Sequence, residues 1–281
     1  MKKINYHLSP VAAALTELVK QQMNAEVGAT ILLTGVPGCG KTQYAHYLCD
    51  ILGAELYRYD CNTESNIGIM YSPDLDGLIR NQAAWLPGPL WDAFEASKSR
   101  RVVILVDELD KSPADFDAYM LRVLEEKSFN NPKNNTIQGN PANIVFILTS
   151  NNRRQLRDEL LRRMLRLTMP YPDIKTQQQI VLEQSWAGAT INLARVMVKI
   201  AQTLREKIGY EKAASPKEVV YACDIAMSMS ATTTKPVLGD LLTGCLVKGF
   251  TQDQIRKLIG YDWLSAIITE VKNTTTNNNN D

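Results

Sequence analysis

Metal-ligand spacing is missing from this chain of 281 residues. Its two histidines, His7 and His46, and its five cysteines, Cys39, Cys49, Cys61, Cys223 and Cys245, contain no C-x-x-C pair and no ligand interval. Structural zinc is therefore not expected, and the thiols read as reduced, mostly buried small apolar side chains of a cytoplasmic protein. No apolar run approaches the roughly 20 residues that a membrane span needs. The start carries two lysines, Lys2 and Lys3, but no apolar stretch follows, so no secretion signal is read. Neither sign of charge prevails, with 31 Lys+Arg against 30 Asp+Glu. Without a basic tract, the composition gives no nucleic-acid footprint. A ring of subunits, however, could still concentrate charge in a pore.

What is present begins at Gly35-Val36-Pro37-Gly38-Cys39-Gly40-Lys41-Thr42, a full G-x-x-x-x-G-K-[ST] match that follows the apolar run 29–34. The glycines let backbone N–H groups curl toward phosphate oxygens. Lys41 brings a point charge to the β/γ-phosphates and Thr42 a hydroxyl to Mg²⁺. A helical pattern over 41–52 places the phosphates at a helix N-terminus, where anions are favoured. A Gly-rich core turn does not explain Lys-Thr at that interval. Cys39, beside Lys41 and the helix start, sits where thiol pKa values fall. An alkylating reagent is expected to inactivate through it and bound nucleotide to protect it; the plainer reading of Cys39 is a filler residue.

Five apolar residues, 102–106, precede Asp107 and Glu108, as in a central parallel strand covered on both faces. Carboxylates at the carboxyl end of such a strand lie where open α/β sheets bind ligands. Asp107 would hold the metal shell and Glu108 would act as general base. A solvated acidic turn is the alternative for an isolated Asp-Glu pair. A third apolar strand, 144–148, ends in Thr149-Ser150-Asn151-Asn152. Asn151 there, between the two previous motifs, could orient a lytic water, although taken alone the tip reads better as a polar turn capping the next helix. Arg162 and Arg163 end a short helical stretch. Such a pair alone is usually a solvated face; after the other motifs, it suggests a charge donor to phosphate.

In order, these segments resemble the AAA+ ATPases: Walker A at Gly35–Thr42, Walker B at Val102–Glu108, a sensor at Asn151 and an arginine finger at Arg163, with Arg162 its substitute. Trp85-Leu86-Pro87-Gly88-Pro89-Leu90 resembles the Gly-Pro-Leu element of the MoxR-like branch. The resemblance implies ATP and Mg²⁺ as ligands, the metal held by Thr42 and Asp107. It implies a homo-oligomeric, hexameric ring in which Arg163 reaches the neighbouring subunit's nucleotide. Its partner would be a protein client or adaptor, such as one with a von Willebrand A domain. Ser215-Pro216-Lys217 resembles the second sensor motif. Lys217 stands there in place of the usual arginine, and a lysine makes no bidentate fork to phosphate. Met164 replaces a common phenylalanine.

Length and an apolar fraction of 45% point to two packed units. Strands are expected at 29–34, 54–59, 101–107, 143–150 and 165–169, and helices at 11–24, 41–52, 88–99, 113–126 and 155–163, with Ser112-Pro113 as a start signal. The fold class is thus α/β: a P-loop parallel five-stranded sheet sandwiched by helices over 1–170, then a small all-helical lid over 173–271. The Thr/Asn-rich stretch 272–281 is expected to be disordered. The helix carrying Leu193, Met197, Ile200 and Leu204 reads as core. Segment 62–82 holds an apolar patch, Ile67–Tyr71, that could grip a partner in a pore or pack on its own sheet. Segment 128–141 is expected to form a hairpin-like excursion, facing a partner or simply solvated. The leading function is an Mg²⁺-dependent ATPase that remodels or activates another protein. A nucleic-acid motor or loader and an ATP-gated scaffold with little turnover are the alternatives.

Overall fold

The computed structural model describes residues 6–74, 76, 79, 85–229, 233–260 and 262–277. Two compact units emerge: residues 8–35 with 40–170, and residues from Tyr171 onward with Val36–Cys39 and His7.

In the first unit, α1 (Pro10–Asn24) starts where Ser9 accepts from the Ala12 N–H at 3.2 Å. Next come β1 (Ala29–Thr34), α2 (Lys41–Leu52), β2 (Glu55–Asp60), β3 (Tyr71–Pro73), β4 (Trp85–Pro87), α3 (Pro89–Ser97) and β5 (Val102–Asp107). They are followed by α4 (Phe116–Glu126), β6 (Ser128–Asn130), β7 (Thr136–Gln138), β8 (Ile144–Ser150), α5 (Asp158–Leu161) and β9 (Leu165–Thr168). Strands β2-β5-β8-β1-β9, in that spatial order, make one parallel sheet. Its three inner strands read as apolar runs because both faces are covered, and β5 and β8 are buried at every position. Each fully buried aliphatic side chain there contributes about 1.5–3 kcal/mol.

Register places Asp60 beside Asp107, and Thr34 beside Ser150. All the strand ends that carry the motifs therefore reach one edge of the sheet.

The expected hairpin over 128–141 is present, β6 pairing antiparallel with β7. A second small hairpin, β3 with β4, was not foreseen. Ile69 and Met70, in the patch that precedes β3, are buried in the core beneath the sheet, and Tyr71 meets Trp85 edge-on at 5.4 Å. The patch thus packs on its own domain. The remainder of segment 62–82 includes 75, 77–78 and 80–82, which lie outside the described residues. Gly88 has a packing reason: a Cβ there would stand 2.6 Å from the carbonyl oxygens of Gly68 and Ile69. Pro89 opens α3 and Leu90 is buried in the core, so the Gly-Pro-Leu element does structural duty.

Three expectations need correction. The helix expected from Pro113 starts at Phe116. Ser112 does not cap it, because its hydroxyl donates backward to the Leu109 carbonyl at 2.7 Å and closes a 3₁₀ turn over Leu109–Lys111. The helix expected over 155–163 is the single turn α5, with Arg162 at its C-cap and Arg163 beyond. The Arg157 N–H and the Arg154 guanidinium both donate to the Asp117 carboxylate, which holds the stretch before Asp158 out of a helix. In the second unit, the final helix runs to Asn277, past the start of the expected tail. Extending a formed helix needs only i→i−4 bonds and no new core.

That second unit is helical: α6 (Ile174–Gln184), α7 (Ile191–Ile208), α8 (Pro216–Met229), α9 (Lys235–Leu246), α10 (Gln252–Ile259) and α11 (Trp263–Asn277). Strand-like pairing is limited, among the described residues, to one bridge between Ala213 and Val247. Leu193, Met197, Ile200 and Leu204 fall on one face of α7, fully buried against Val219, Leu242 and Ile267. Ser215 opens α8 through a reciprocal cap: its N–H donates to Glu218 Oε2 at 2.7 Å, and its Oγ accepts from the Glu218 N–H at 3.4 Å.

Candidate functional site

The carboxyl edge of the sheet gathers the polar motif residues of the first unit. Helix α2 begins at Lys41 behind Gly40, whose φ of +94° only glycine adopts freely. No side chain caps this helix and no acid lies in its first turn. Its leading N–H groups are the positive end of a 12-residue helix with no carboxylate to meet them. Upstream, Gly35 and Gly38 have φ of +145° and +84°, and the Cys39 N–H donates to the Val36 carbonyl at 3.3 Å. Pro37 sits half-buried in this turn.

Lys41 is buried, and its ammonium donates to the Gly35 carbonyl at 2.7 Å and to Asn151 Oδ1 at 2.8 Å. The Asn151 amide donates in turn to Glu108 Oε1 at 3.3 Å. The structure thus brings Walker A, the end of β5 and the end of β8 into one connected set. Glu108 Oε2 is ion-paired with Lys111. Glu108 has φ +56° and ψ +47°, a left-handed backbone that costs a non-glycine residue about 1–2 kcal/mol. Its N–H donates to Thr149 Oγ1 at 2.8 Å, which fixes that conformation. Backbone strain held by a cross-strand bond is typical of residues aimed for chemistry.

Asp107 is the hub of the second cluster, its side chain only 6% exposed. The Thr42 hydroxyl lies 3.1 and 3.0 Å from its two oxygens, Thr149 Oγ1 donates to Oδ1 at 2.6 Å, and Arg58 Nη2 donates to Oδ2 at 3.0 Å. No group of three His, Cys, Asp or Glu side chains forms a metal cage among the described residues. Mg²⁺ does not need one: it is commonly held by one or two hard protein oxygens, with phosphate and water completing its octahedron. Thr42 and Asp107 are such a pair, touching each other beside an uncapped helix start, so the residues present fit a magnesium–triphosphate.

The loop after β8 is tethered from below. Asp110 accepts from the Asn151 N–H at 3.1 Å and the Arg153 N–H at 2.9 Å. Asp117, fully buried, takes a two-pronged bond from Arg154 at 2.9 and 2.8 Å. That hydrogen bond holds the Arg154 guanidinium above its ordinary pKa. These tethers set where Asn151 points.

Arg162 is exposed, and Arg163 is half-buried with its guanidinium paired to Glu125 on α4. Among the described residues, neither arginine bonds to Lys41, Thr42, Asp107, Glu108 or Asn151. Lys217 is exposed in the first turn of α8, in the helical unit. Cys39 is only 4% exposed, which corrects the expectation of a readily alkylated thiol. Burial pushes the thiols of Cys49 and Cys61 up to about 12 and raises Cys223 and Cys245 as well, as in inert core cysteines.

Reading motifs one by one missed Arg58, Thr149 and the roles of Asp110, Lys111, Arg154 and Asp117. Arg58 carries a faint signal, since it lies two residues before Asp60 and so shares its strand face. Its meeting with Asp107, however, depends on the pairing register of β2 with β5.

Residues 30–167 match the family model described as the AAA domain of the dynein-related subfamily. Among curated proteins, the Lon protease of Leptospira interrogans is 29% identical over 172 residues, 58% of this chain and 20% of that protein. A peroxisomal Lon protease homolog 2 from Pichia angusta is 34% identical over 142 residues, 48% of this chain and 14% of that protein. The chain thus spans a fifth or less of the length of these relatives. A RuvB mutant of Thermotoga maritima shares the fold, with TM-score 0.57 at 14% identity over 94% of this chain and 75% of that one. The RuvB Holliday junction branch migration motor of the same organism aligns with TM-score 0.51 at 14% identity, covering 89% and 67% of the two chains. The family match and the Lon relatives support an AAA+ ATPase domain, and the RuvB structures share its fold.

Proposed function

We propose that this chain, whose α/β unit is built as an AAA+ ATPase domain, binds magnesium–ATP at the carboxyl edge of its sheet and hydrolyses it. We further propose a MoxR-like role, in which a ring of these chains remodels or activates a partner protein. The family match and the Lon relatives indicate ATP hydrolysis. The observation that carries the reading is the continuous set Gly35–Lys41–Asn151–Glu108, running beside Thr42–Asp107.

In this reading, the uncapped start of α2 and the Lys41 ammonium bind the β- and γ-phosphates. Lys41 already makes the exchange simple, since it holds two neutral oxygens that phosphate oxygens would replace. Thr42 and Asp107 would hold the magnesium, which would neutralise charge on the phosphates. Glu108 takes the proton from the attacking water, and Asn151 orients that water. Both are already bonded to each other, so freeing Glu108 from Lys111 leaves its carboxylate aimed by Asn151. Arg163 pairs with Glu125 in its own chain, so a finger role places it at a neighbour's nucleotide. A finger shared in that way would require the ring of copies proposed here. Lys217 would add charge as a second sensor, and Arg162 is the substitute finger.

A von Willebrand A protein is the adaptor suggested by the Gly88-Pro89-Leu90 resemblance. No helix among the described residues is long and apolar enough to cross a membrane.

Steady-state phosphate release tests the reading. The parent should turn over ATP with Mg²⁺, Lys41→Ala should lose nucleotide binding, and Glu108→Gln should bind ATP and keep it unhydrolysed. No turnover by an assembled parent would leave only a scaffold, and stimulation by DNA would favour a nucleic-acid motor. A pull-down with Glu108→Gln and ATP should then retain the client.

A further inference from the structure

Asp107 is a deeply buried carboxylate, and such a charge needs a compensating partner. The structure supplies one from an unexpected place. Arg58 on β2 reaches across to β5 and puts Nη2 on Asp107 Oδ2 at 3.0 Å. The same guanidinium holds a second carboxylate, Asp60, with Nε at 2.8 Å and Nη2 at 2.7 Å from Oδ1. Strand geometry explains the arrangement. Arg58 and Asp60 are two residues apart and share a face, and Asp60 pairs in register with Asp107. One arginine therefore bridges a 6% exposed carboxylate and a 66% exposed one, while itself 41% exposed.

We propose that Arg58 is an internal stand-in for the metal: it neutralises Asp107 when magnesium is absent and yields that carboxylate to magnesium by falling back on Asp60. This rests on the metal-site reading given above. A cation held at Asp107 Oδ2 must compete with Arg58 for the same lone pairs. Asp60 lowers the cost of that exchange, because the guanidinium keeps one carboxylate partner throughout. Arg58 thus sets how much magnesium the site requires, and Asp60 sets how readily Arg58 lets go. Arginine suits the task because its planar fork spans two carboxylates, which the point charge of lysine does not.

The test is a magnesium titration of fluorescent ADP binding, started from a chelator, with thermal unfolding in chelator as a second readout. Arg58→Met should lower the magnesium midpoint about fivefold, the upper range for a partly exposed ion pair, and should unfold earlier than the parent in chelator. Asp60→Asn should move the midpoint the opposite way, upward, because Arg58 loses its fallback. Arg58→Lys should lie between parent and Arg58→Met, and the double variant Arg58→Met/Asp60→Asn should behave like Arg58→Met. An unmoved or raised midpoint in Arg58→Met would overturn the proposal. So would an equal fall in nucleotide affinity in chelator and in excess magnesium, which would make Arg58 a phosphate contact. A parent that retains no nucleotide at any magnesium concentration refutes the proposed function itself. When the parent does bind, an unmoved midpoint in Arg58→Met refutes only the role of Arg58.

Discussion

The two units bury polar groups in different ways. In the α/β unit, Lys41, Asp107, Asp110, Asp117, Thr149 and Ser150 are buried and concentrate at the carboxyl edge of the sheet and the loops beyond it. In the helical unit, the buried polar residues among those described are Gln177, Arg205, Asp224 and Thr243, spread among apolar neighbours. In the first set, Thr149 bonds to Asp107 across β5 and β8, and Lys41 and Asp110 both bond to Asn151 at the end of β8. Those in the second pin the backbone: Arg205 donates to the Ala214 carbonyl at 2.8 Å, and Asp224 accepts from Ser185 Oγ at 2.6 Å and the Ala187 N–H at 3.1 Å. A polar network left partly open to a ligand is costly for stability and useful for chemistry. A polar group pinned to its own backbone does one thing, which is to hold a turn.

If that contrast is right, substitutions of the proposed functional residues in the α/β unit should change rate and those in the helical unit should change stability. The largest effect is expected at Arg163. Arg163→Ala should cut ATP turnover by roughly 10³–10⁵, the range for an arginine finger, while leaving nucleotide binding measurable. Mixing Arg163→Ala with Glu108→Gln chains should restore part of the turnover, because some interfaces then pair an intact finger with an intact base. Normal hydrolysis by Arg163→Ala would move the finger to Arg162 and weaken the case for shared sites.

Asp224→Ala is the counterpart in the helical unit. It leaves the Ser185 hydroxyl and the Ala187 N–H without their buried acceptor, at a cost of about 2–3 kcal/mol. Thermal unfolding should begin roughly 5–10 °C earlier, with ATP turnover per folded molecule at 25 °C holding at the parent rate. A fall in turnover of the size expected for Arg163→Ala would erase the distinction between the units.

The same contrast explains what could be read from the chain. Motif residues are legible because each acts from a short segment: Gly35–Thr42 within one turn, and Asp107-Glu108 at one strand end. The strand over 29–34 was legible to the residue, since its run lies between Gly28 and Gly35. Arg58 and Thr149 were not, because their work depends on register across β2–β5 and β5–β8. The start of α4 failed because Ser112 had two possible backbone partners, and the backward one, Leu109, won. The Ser128–Pro141 hairpin was legible from its turn residues. The β3–β4 hairpin was not, its strands being three residues each. In the helical unit, periodicity identified the buried face of α7, but no pattern marked Asp224 or Arg205 as buried.

One buried charge in the α/β unit lies away from the edge and sharpens the comparison in the smallest way. Lys127, at the C-cap of α4, is buried with its ammonium 3.0 Å from Thr30 Oγ1, bonded to the Leu124 carbonyl and 5.1 Å from the centre of the Phe146 ring. Burial lowers its pKa from 10.5 to about 8. Between those values the unfolded chain binds the proton that the folded chain has lost, so stability from this group rises with pH across that window. Below pH 8 the folded protein bears the full cost of a buried cation, about 3 kcal/mol. Lys127→Met removes that cost together with the two hydrogen bonds and the ring contact, for a net gain of about 1–2 kcal/mol at pH 7. The gain should shrink steadily toward pH 10. The parent's own pH profile will not show this alone, because burial raises Tyr44, Cys49 and Cys61 to about 12 and makes stability fall as pH climbs past 9. The difference between variant and parent, measured by denaturant unfolding at pH 7 and pH 9.5, cancels those groups. A gain that stays constant with pH would mean that Lys127 keeps its proton in the folded protein up to pH 9.5, so that burial does not lower its pKa.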